Sequence, residues 1–596
     1  MDPATVAYPL MLLHSLREAT LLELSIYLVL LWIVYAISLV TYRLYFHPLA
    51  HFPGRKFAAA TLWYELYYDV VQPGLYYREV SKMHDEFGPV IRISPNELHL
   101  NHHSLWEPIY TAKNDKYAFG INGIGLPDAT VGTVPHELWK KRRAALSPFF
   151  SRRSVEKFGH VVYDNLAVFL ARLKNAKERR AAMIKRAERG DNEARKALEL
   201  EDEDNAGVLE MGALWHQLAV DVVSEYAFTH SYGLVRDKER GQQWVTMLRY
   251  VMANSQMYKH FPFLLRIRDV FAILPDRLVA HLAGEGMLMA AKLQDNMRTQ
   301  IIAIRDGTAE GDELRYKSHP TIFHELLQSS SIPDSEKRID RIWQDGQSVI
   351  VGGSETVAKV LTHITFHLLD QPRVLTRLRE ELESGGFMTA EMKTNNQTPQ
   401  WQDLERCSYL AAVVIEGLRV SLPAVQRMNR VLPNQWRVFC VPDHIRRDPK
   451  TGQPMIREVR IPPGTPVSMS PHLLHFDPSI FPEPHVFRPE RWLEKEAGKL
   501  GQGVDPVSVT GTNAARGGKS LSKYLASFGY GTRICVGMNL AYAELHTLVA
   551  LLFGPYTSHD LQFKLYKTQH KDIEFTHDHV VGAPRIGTKG CRVVVE

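Results

Sequence analysis

The stretch Phe528–Gly537 reads FGYGTRICVG. One cysteine, Cys535, stands two residues after Arg533 and among Gly529, Gly531 and Gly537. The run that follows, VGMNLAYAELHTLVALLF, carries Leu545, Leu548 and Leu552 at helical spacing and stops at Gly554-Pro555. Cys535 is therefore expected at or just before a helix N-terminus, where free amides and the helix dipole favour a thiolate.

Gly531 and Gly537 lack side chains, so the backbone can approach a flat ligand there. Arg533 offers a fixed cation for a carboxylate. Thiolate, close-approach glycines and an anion partner suit a haem, with iron bound by sulfur and propionates bound by arginine. A cysteine alone reads more simply as an inert buried thiol. The ten-residue pattern points to the cofactor instead.

The remaining cysteines, Cys407, Cys440 and Cys591, form no CxxC or CxxH pair, so the spacing supports neither a zinc site nor a disulfide framework. The 596 residues are 45% apolar and 23% charged, which suits a large globular chain. A net charge of +5 makes no case for nucleic acid.

Between Glu23 and Arg43 lie 19 uncharged residues, LSIYLVLLWIVYAISLVTY. As a helix they span a bilayer core of about 30 Å. Residues 24–42 are expected as a transmembrane anchor, 1–23 as a lumenal segment, 43–56 as a proline-rich linker and 57–596 as the catalytic domain. Arg43, Arg55 and Lys56 follow the span, so positive-inside bias puts that domain in the cytosol. The sequon Asn396-Gln397-Thr398 would then stay unmodified.

From about 130 to 425 the pattern is mostly helical, with a long helix expected from near Ser335 to just before Pro372. Short strand-like runs such as Pro89–Ser94, and a proline-rich stretch from about 423 to 490, give a minor β part. The fold class is mainly α with small β-sheets. Residues 171–204, ending in Glu201–Asp204, read as a solvated charged helix and loop, and 500–520 as a flexible Gly/Ser/Thr loop.

The cysteine loop resembles the F-x-x-G-x-R-x-C-x-G signature of the cytochrome P-450 family of haem-thiolate monooxygenases, with Phe528, Gly531, Arg533, Cys535 and Gly537 at its fixed positions. Other parts agree, in family order. Trp139 and Arg143 match a W-x-x-x-R motif for haem propionates. VGGSETV, Val351–Val357, resembles the oxygen-binding motif, with Glu355 and Thr356 as its acid and alcohol. Val357 stands where a second hydroxyl is usual. Glu416 and Arg419 match E-x-x-R, and Arg491 the P-E-R-W motif; the resemblance implies that the three form a structural triad.

The resemblance implies haem iron with an axial thiolate from Cys535, proton delivery by Glu355 and Thr356, and electrons from a separate NADPH-cytochrome P-450 reductase in the endoplasmic reticulum membrane. Lys519 and Lys523 are the expected docking cations. Leu126, Val351, Val425 and Val581 would line an apolar pocket. YRLYFHPLAHFPG and KKRRAALSPFFS resemble a fungal secondary-metabolism branch that includes trichodiene oxygenase, which implies a terpenoid-like substrate. Arg55 departs from that branch's second proline.

Two rival readings remain open. The same fold can run a reductase-independent peroxide rearrangement or dehydration, or the chain can be a non-catalytic haem- or sterol-binding membrane protein. Retention of Glu355, Thr356 and Cys535 favours oxygen activation.

Overall fold

The structure is a computed structural model that describes residues 20–157, 159–228, 231–271, 274–308, 321–387, 399–493, 521–558 and 560–596. The sequon, the 500–520 loop, Lys519 and most of the 1–23 segment lie outside the described residues.

The apolar helix α1 runs Leu21–Thr41, three residues earlier than the expected span. Thr20 and Glu23 form a capping box that sets this start. No residue of α1 is buried by the rest of the chain. No proline intervenes until Pro48, so the helix continues as a π turn over Tyr42–Phe46, which takes up the first part of the expected linker. Arg43 Nη1 donates to the Ala60 carbonyl at 2.8 Å, and Arg92 Nη1 to the Arg43 carbonyl at 2.8 Å, so the segment after α1 is tied to the body.

Strands β1 (Val90–Arg92) and β2 (Leu98–Leu100) form an antiparallel pair. Helix α2 (His136–Leu146) carries the Trp139–Arg143 motif. The charged region is helical over α3 (Gly159–Glu188), Asn192–Glu199 and Glu203–Ala206. Its acidic end is anchored, contrary to a merely solvated loop. Glu201 pairs with Lys567, Lys589 and Arg592, and Glu203 takes a bidentate pair from Arg172 at 2.8 Å.

A two-residue strand, β3 (Leu209–Glu210), leads into α4 (Met211–Ala227), which is buried almost all round. Helix α5 (Ile339–Asp370) packs along α4, and Trp215 Nε1 donates to Thr365 Oγ1 at 3.0 Å between them. Helix α5 begins at Ile339 because Pro333 and the 3₁₀ turn Asp334–Glu336 precede it. It ends because Pro372 pushes Gln371 out of the helical region, to φ −121° and ψ 81°.

Helix α6 (Ser408–Ser421) has every residue from Tyr409 buried. Four strands follow: β4 (Met428–Val431), β5 (Arg437–Arg447), β6 (Pro454–Ile461) and β7 (Pro466–Met469). The main sheet has the order β1-β2-β7-β4, while β5 and β6 make a hairpin of their own. Helix α7 (Met538–Phe553) starts after Gly537 and stops at Gly554-Pro555, as its pattern predicts. Strands β8 (Phe563–Leu565), β9 (His577–His579), β10 (Val581–Ala583) and β11 (Arg592–Val595) complete a three-stranded sheet, β3-β11-β8, and a β9–β10 hairpin. The fold is mainly α with small sheets, and α4, α5, α6 and α7 share one core.

Candidate active site

Cys535 lies between the 3₁₀ turn Gly531–Arg533 and α7. Its amide donates to the Phe528 carbonyl at 2.8 Å and closes the loop. Phe528 packs on Tyr542 of α7 with ring centroids 5.1 Å apart.

Gly531 has φ +70°, and a Cβ there would sit 2.1 Å from the Tyr110 carbonyl oxygen. Close packing on Tyr110 therefore demands this glycine, rather than the flat-ligand approach expected of it. A Cβ on Gly537 would meet nothing within 4 Å.

Cys535 is accessible to solvent. Burial nevertheless raises its thiol pKa, against the lowering effects of the Gly537 amide and Arg143. In that direction desolvation outweighs the helix start and the arginine.

Arg143 reaches the same loop from α2, with Nη1 on the Ile534 carbonyl at 2.9 Å and Nη2 on the Cys535 carbonyl at 3.3 Å. Arg533 donates to the Thr133 and Val134 carbonyls at 2.7 and 2.8 Å, and its guanidinium lies 4.9 Å from the Trp139 ring centroid. Its Nε is buried without a partner.

Two further cations join it that sequence reasoning missed. Burial, then Arg430 and Arg533, push the Lys116 amine down to about 7. Burial lowers Arg430, whose Nε also lacks a partner. Arg430 sits in the short strand β4, Met428–Val431, and neither it nor Lys116 stood out in the sequence. The three cations oppose one another, with Asp115 as the anion that acts on Arg533, and a further anion would relieve that repulsion.

On α5, a Cβ at Gly352 would meet nothing within 4 Å, whereas one at Gly353 would press on Val223 at 2.9 Å. The two glycines leave the helix unbroken. Thr356 Oγ1 donates to the Gly352 carbonyl at 2.7 Å. Glu355 Oε2 lies 3.3 Å from His216 Nε2 of α4. Burial raises the Glu355 pKa, lowers that of His216 to about 3 and lowers that of Lys359, one turn on, to about 8. Val357 is buried in the core, and Ser354 Oγ lies 3.4 Å from His216 Nε2, so a hydroxyl does stand beside this pair.

Glu416, Arg419, Arg491 and Trp492 are buried together, with Arg419 bidentate on Glu416 at 2.9 and 2.7 Å. The wall candidates fall into two pairs of segments. Val425 N donates to the Val580 carbonyl at 3.2 Å, next to Val581. The segment after Leu126 is tied to α5 by Asp128 N on Gln344 Oε1 at 2.9 Å and Thr130 N on Asp345 Oδ1 at 2.6 Å.

The family model described as Cytochrome P450 matches residues 69–581. The chain belongs to the cytochrome P450 family. Among its relatives, the cytochrome P450 monooxygenase sdnE of Sordaria araneosa is 33% identical, over 95% of this chain and 97% of that protein. The tryptophan 6-hydroxylase fscE of Fusarium equiseti is 32% identical, over 97% and 98%. The N-acetyltryptophan 6-hydroxylase ivoC of Emericella nidulans is 30% identical, over 96% of each. This P450 is thus an oxidoreductase of the monooxygenase kind whose cofactor is haem. The residues present fit that group: a solvent-accessible sulfur at Cys535, open room beside Gly352 and Gly537, and the Arg533, Lys116 and Arg430 cations, with Nε of both arginines buried without a partner. Helix α1 is long and apolar enough to be a membrane anchor.

Proposed function

We propose that this P450 is anchored in the endoplasmic reticulum membrane by α1, faces the cytosol, and hydroxylates an apolar, terpenoid-like small molecule with dioxygen and electrons passed from NADPH by a separate reductase. The observation that carries the reading is Cys535, an accessible sulfur in a loop gripped by Arg143.

Haem bound through Cys535 supplies oxygen reduction and C–H oxidation. Arg533, Lys116 and Arg430 would hold its propionates, and pairing with them restores the charge that burial disfavours. Trp139 stacks under Arg533 and fixes its direction. Arg143 holds the cysteine loop through two carbonyls, which keeps the sulfur in place. The Thr356 hydroxyl, on Gly352 O, stands at the open part of α5 and can turn its proton inward. Glu355 behind it binds a proton more readily than an exposed acid and has neutral His216 at 3.3 Å to exchange with. Lys523, exposed 12 positions before Cys535, together with exposed Lys140 and Lys141 on α2, offers a basic approach for an acidic reductase face. Reversal of these charges should slow reductase-driven turnover at low salt.

A second substrate reading comes from the two relatives named for hydroxylating tryptophan and N-acetyltryptophan: an indole ring in place of a terpenoid skeleton.

The test is the carbon monoxide difference spectrum of the reduced, full-length protein, wild type beside Cys535→Ser. A strongly red-shifted Soret band in the wild type alone supports the site, and its absence from well-folded wild type overturns it. Terpenoid and N-acylindole panels, each with reductase and NADPH, then decide the substrate class. Turnover without reductase would instead favour rearrangement chemistry.

A further inference from the structure

Seven residues beyond Thr356, about 10 Å along α5, a cavity of about 320 Å³ is lined by histidines from three parts of the chain. His363 and His367 stand one turn apart on α5, with ring centroids 6.3 Å apart. His570, from the loop before β9, brings its ring to 5.8 Å from His367.

Neither buried nitrogen of His363 has a well-aligned hydrogen-bond partner, the Ile573 carbonyl being the acceptor beside the ring, and Nδ1 of His367 is buried without one. The Ile573 carbonyl beside His363 accepts from Lys359 Nζ at 3.2 Å. The His367 ring is held flat on Phe487, with centroids 4.5 Å apart and planes 6° apart. His570 Nδ1 lies 3.3 Å from Glu574 Oε2, which orients that ring and leaves its Nε2 free to coordinate. Across the cavity, His472 uses Nε2 on Ser81 at 3.2 Å and leaves Nδ1 unpartnered.

Unpaired buried imidazole nitrogens are costly unless something uses them. We propose that His363, His367 and His570 form a site for a borderline divalent transition-metal ion such as zinc, with Glu574 as the outer carboxylate that fixes His570. Histidines at i and i+4 on one helix are a natural pair of ligands for such an ion. Two imidazoles sharing a tetrahedral ion with bonds of about 2 Å place their centroids roughly 5 Å apart, so modest ring rotations would close the site. His570 is half exposed and gives the ion a way in. Bound there, the ion would staple α5 to the segment that leads into the β9–β10 hairpin.

Among the described residues, the group whose ligand atoms already lie within 4.8 Å of one another is Glu65, Asp69 and His260, and it is closed by Lys259 Nζ, which contacts both acids, and by Arg427. It is an ion-pair network and carries no such proposal.

The test uses full-length holoprotein with haem bound, purified without a histidine tag and stripped by a chelator. Zn²⁺ is titrated and counted by mass spectrometry after gel filtration. One retained Zn²⁺ per chain and a raised Tm are expected. His570→Ala, on an exposed loop that cannot unfold the core, should weaken binding at least about tenfold, and the His363→Ala/His367→Ala pair should abolish it. The carbon monoxide spectrum should stay unchanged in His570→Ala, which separates loss of zinc from loss of the haem site. Retention of none of zinc, copper and nickel by the wild type, or retention in His570→Ala and in the double variant equal to that of the wild type, overturns the proposal. Retention of copper or nickel but not zinc would support the site and reassign its ion.

Discussion

Arg491 Nε donates to Glu416 Oε1 at 3.0 Å although 75 positions of sequence separate them. The same carboxylate receives Arg419 through Nε and Nη2, the Arg488 amide at 3.0 Å and Trp492 Nε1 at 2.8 Å. Burial alone would raise the Glu416 pKa, but Arg419 and Arg491 bring it below the usual value. One acid thereby joins α6 to the 3₁₀ turn Pro489–Trp492.

Removing that acid leaves two guanidinium groups buried without their counter-ion. Glu416→Gln should destabilise the fold by about 3–5 kcal/mol. Trp492→Phe, which loses only one hydrogen bond to a charged group, should cost about 1.5–3 kcal/mol. Urea unfolding of the two variants checks the order; equal losses would mean that the charge is not what matters.

Haem retention should depend on the cations. Arg430→Leu removes a buried charge that opposes Lys116 and Arg533 in the protein alone, so any structural effect should be small or favourable. The haem-to-protein absorbance ratio should nevertheless fall, and Lys116→Leu should add to the loss. Full haem content in both variants would remove these residues from the cofactor site.

Glu355→Gln takes away the exchangeable proton next to His216. Turnover driven by reductase and NADPH should fall by about 10²-fold, while turnover supplied with peroxide should change far less. Equal losses in the two assays would assign Glu355 to structure.

Glu544 gives a pH signature. It lies fully buried in α7, neither carboxyl oxygen has a partner, and burial raises its pKa well above 4.5. The folded state keeps a proton that the unfolded chain releases near 4.5, so the native form binds more protons above that pH. Stability should therefore fall as pH rises from 4.5 toward the folded value, by up to about 1.4 kcal/mol per unit from this group. Glu544→Gln should flatten that part of the curve and leave stability below pH 4.5 nearly unchanged. Unfolding midpoints from pH 4 to 8 measure it.

Local chemistry was legible in the linear chain. Apolar spacing after Cys535 defines α7, Pro372 ends α5, and the uncharged run before Arg43 defines α1, because helix periodicity, proline and charge act within a few residues of themselves. The ordered motifs from Trp139 to Cys535 likewise needed only sequence. The tertiary structure alone decided what depends on burial and on partners far along the chain. It brought Lys116 and Arg430 beside Arg533, set Glu201 among Lys567, Lys589 and Arg592, and raised the Cys535 pKa where the helix start alone argued for lowering it. It also gave Gly531 its reason, a carbonyl of Tyr110 some 420 positions away. Desolvation and long-range pairing have no signature in neighbouring residues, since they arise only when the folded path removes water from groups that sequence keeps apart.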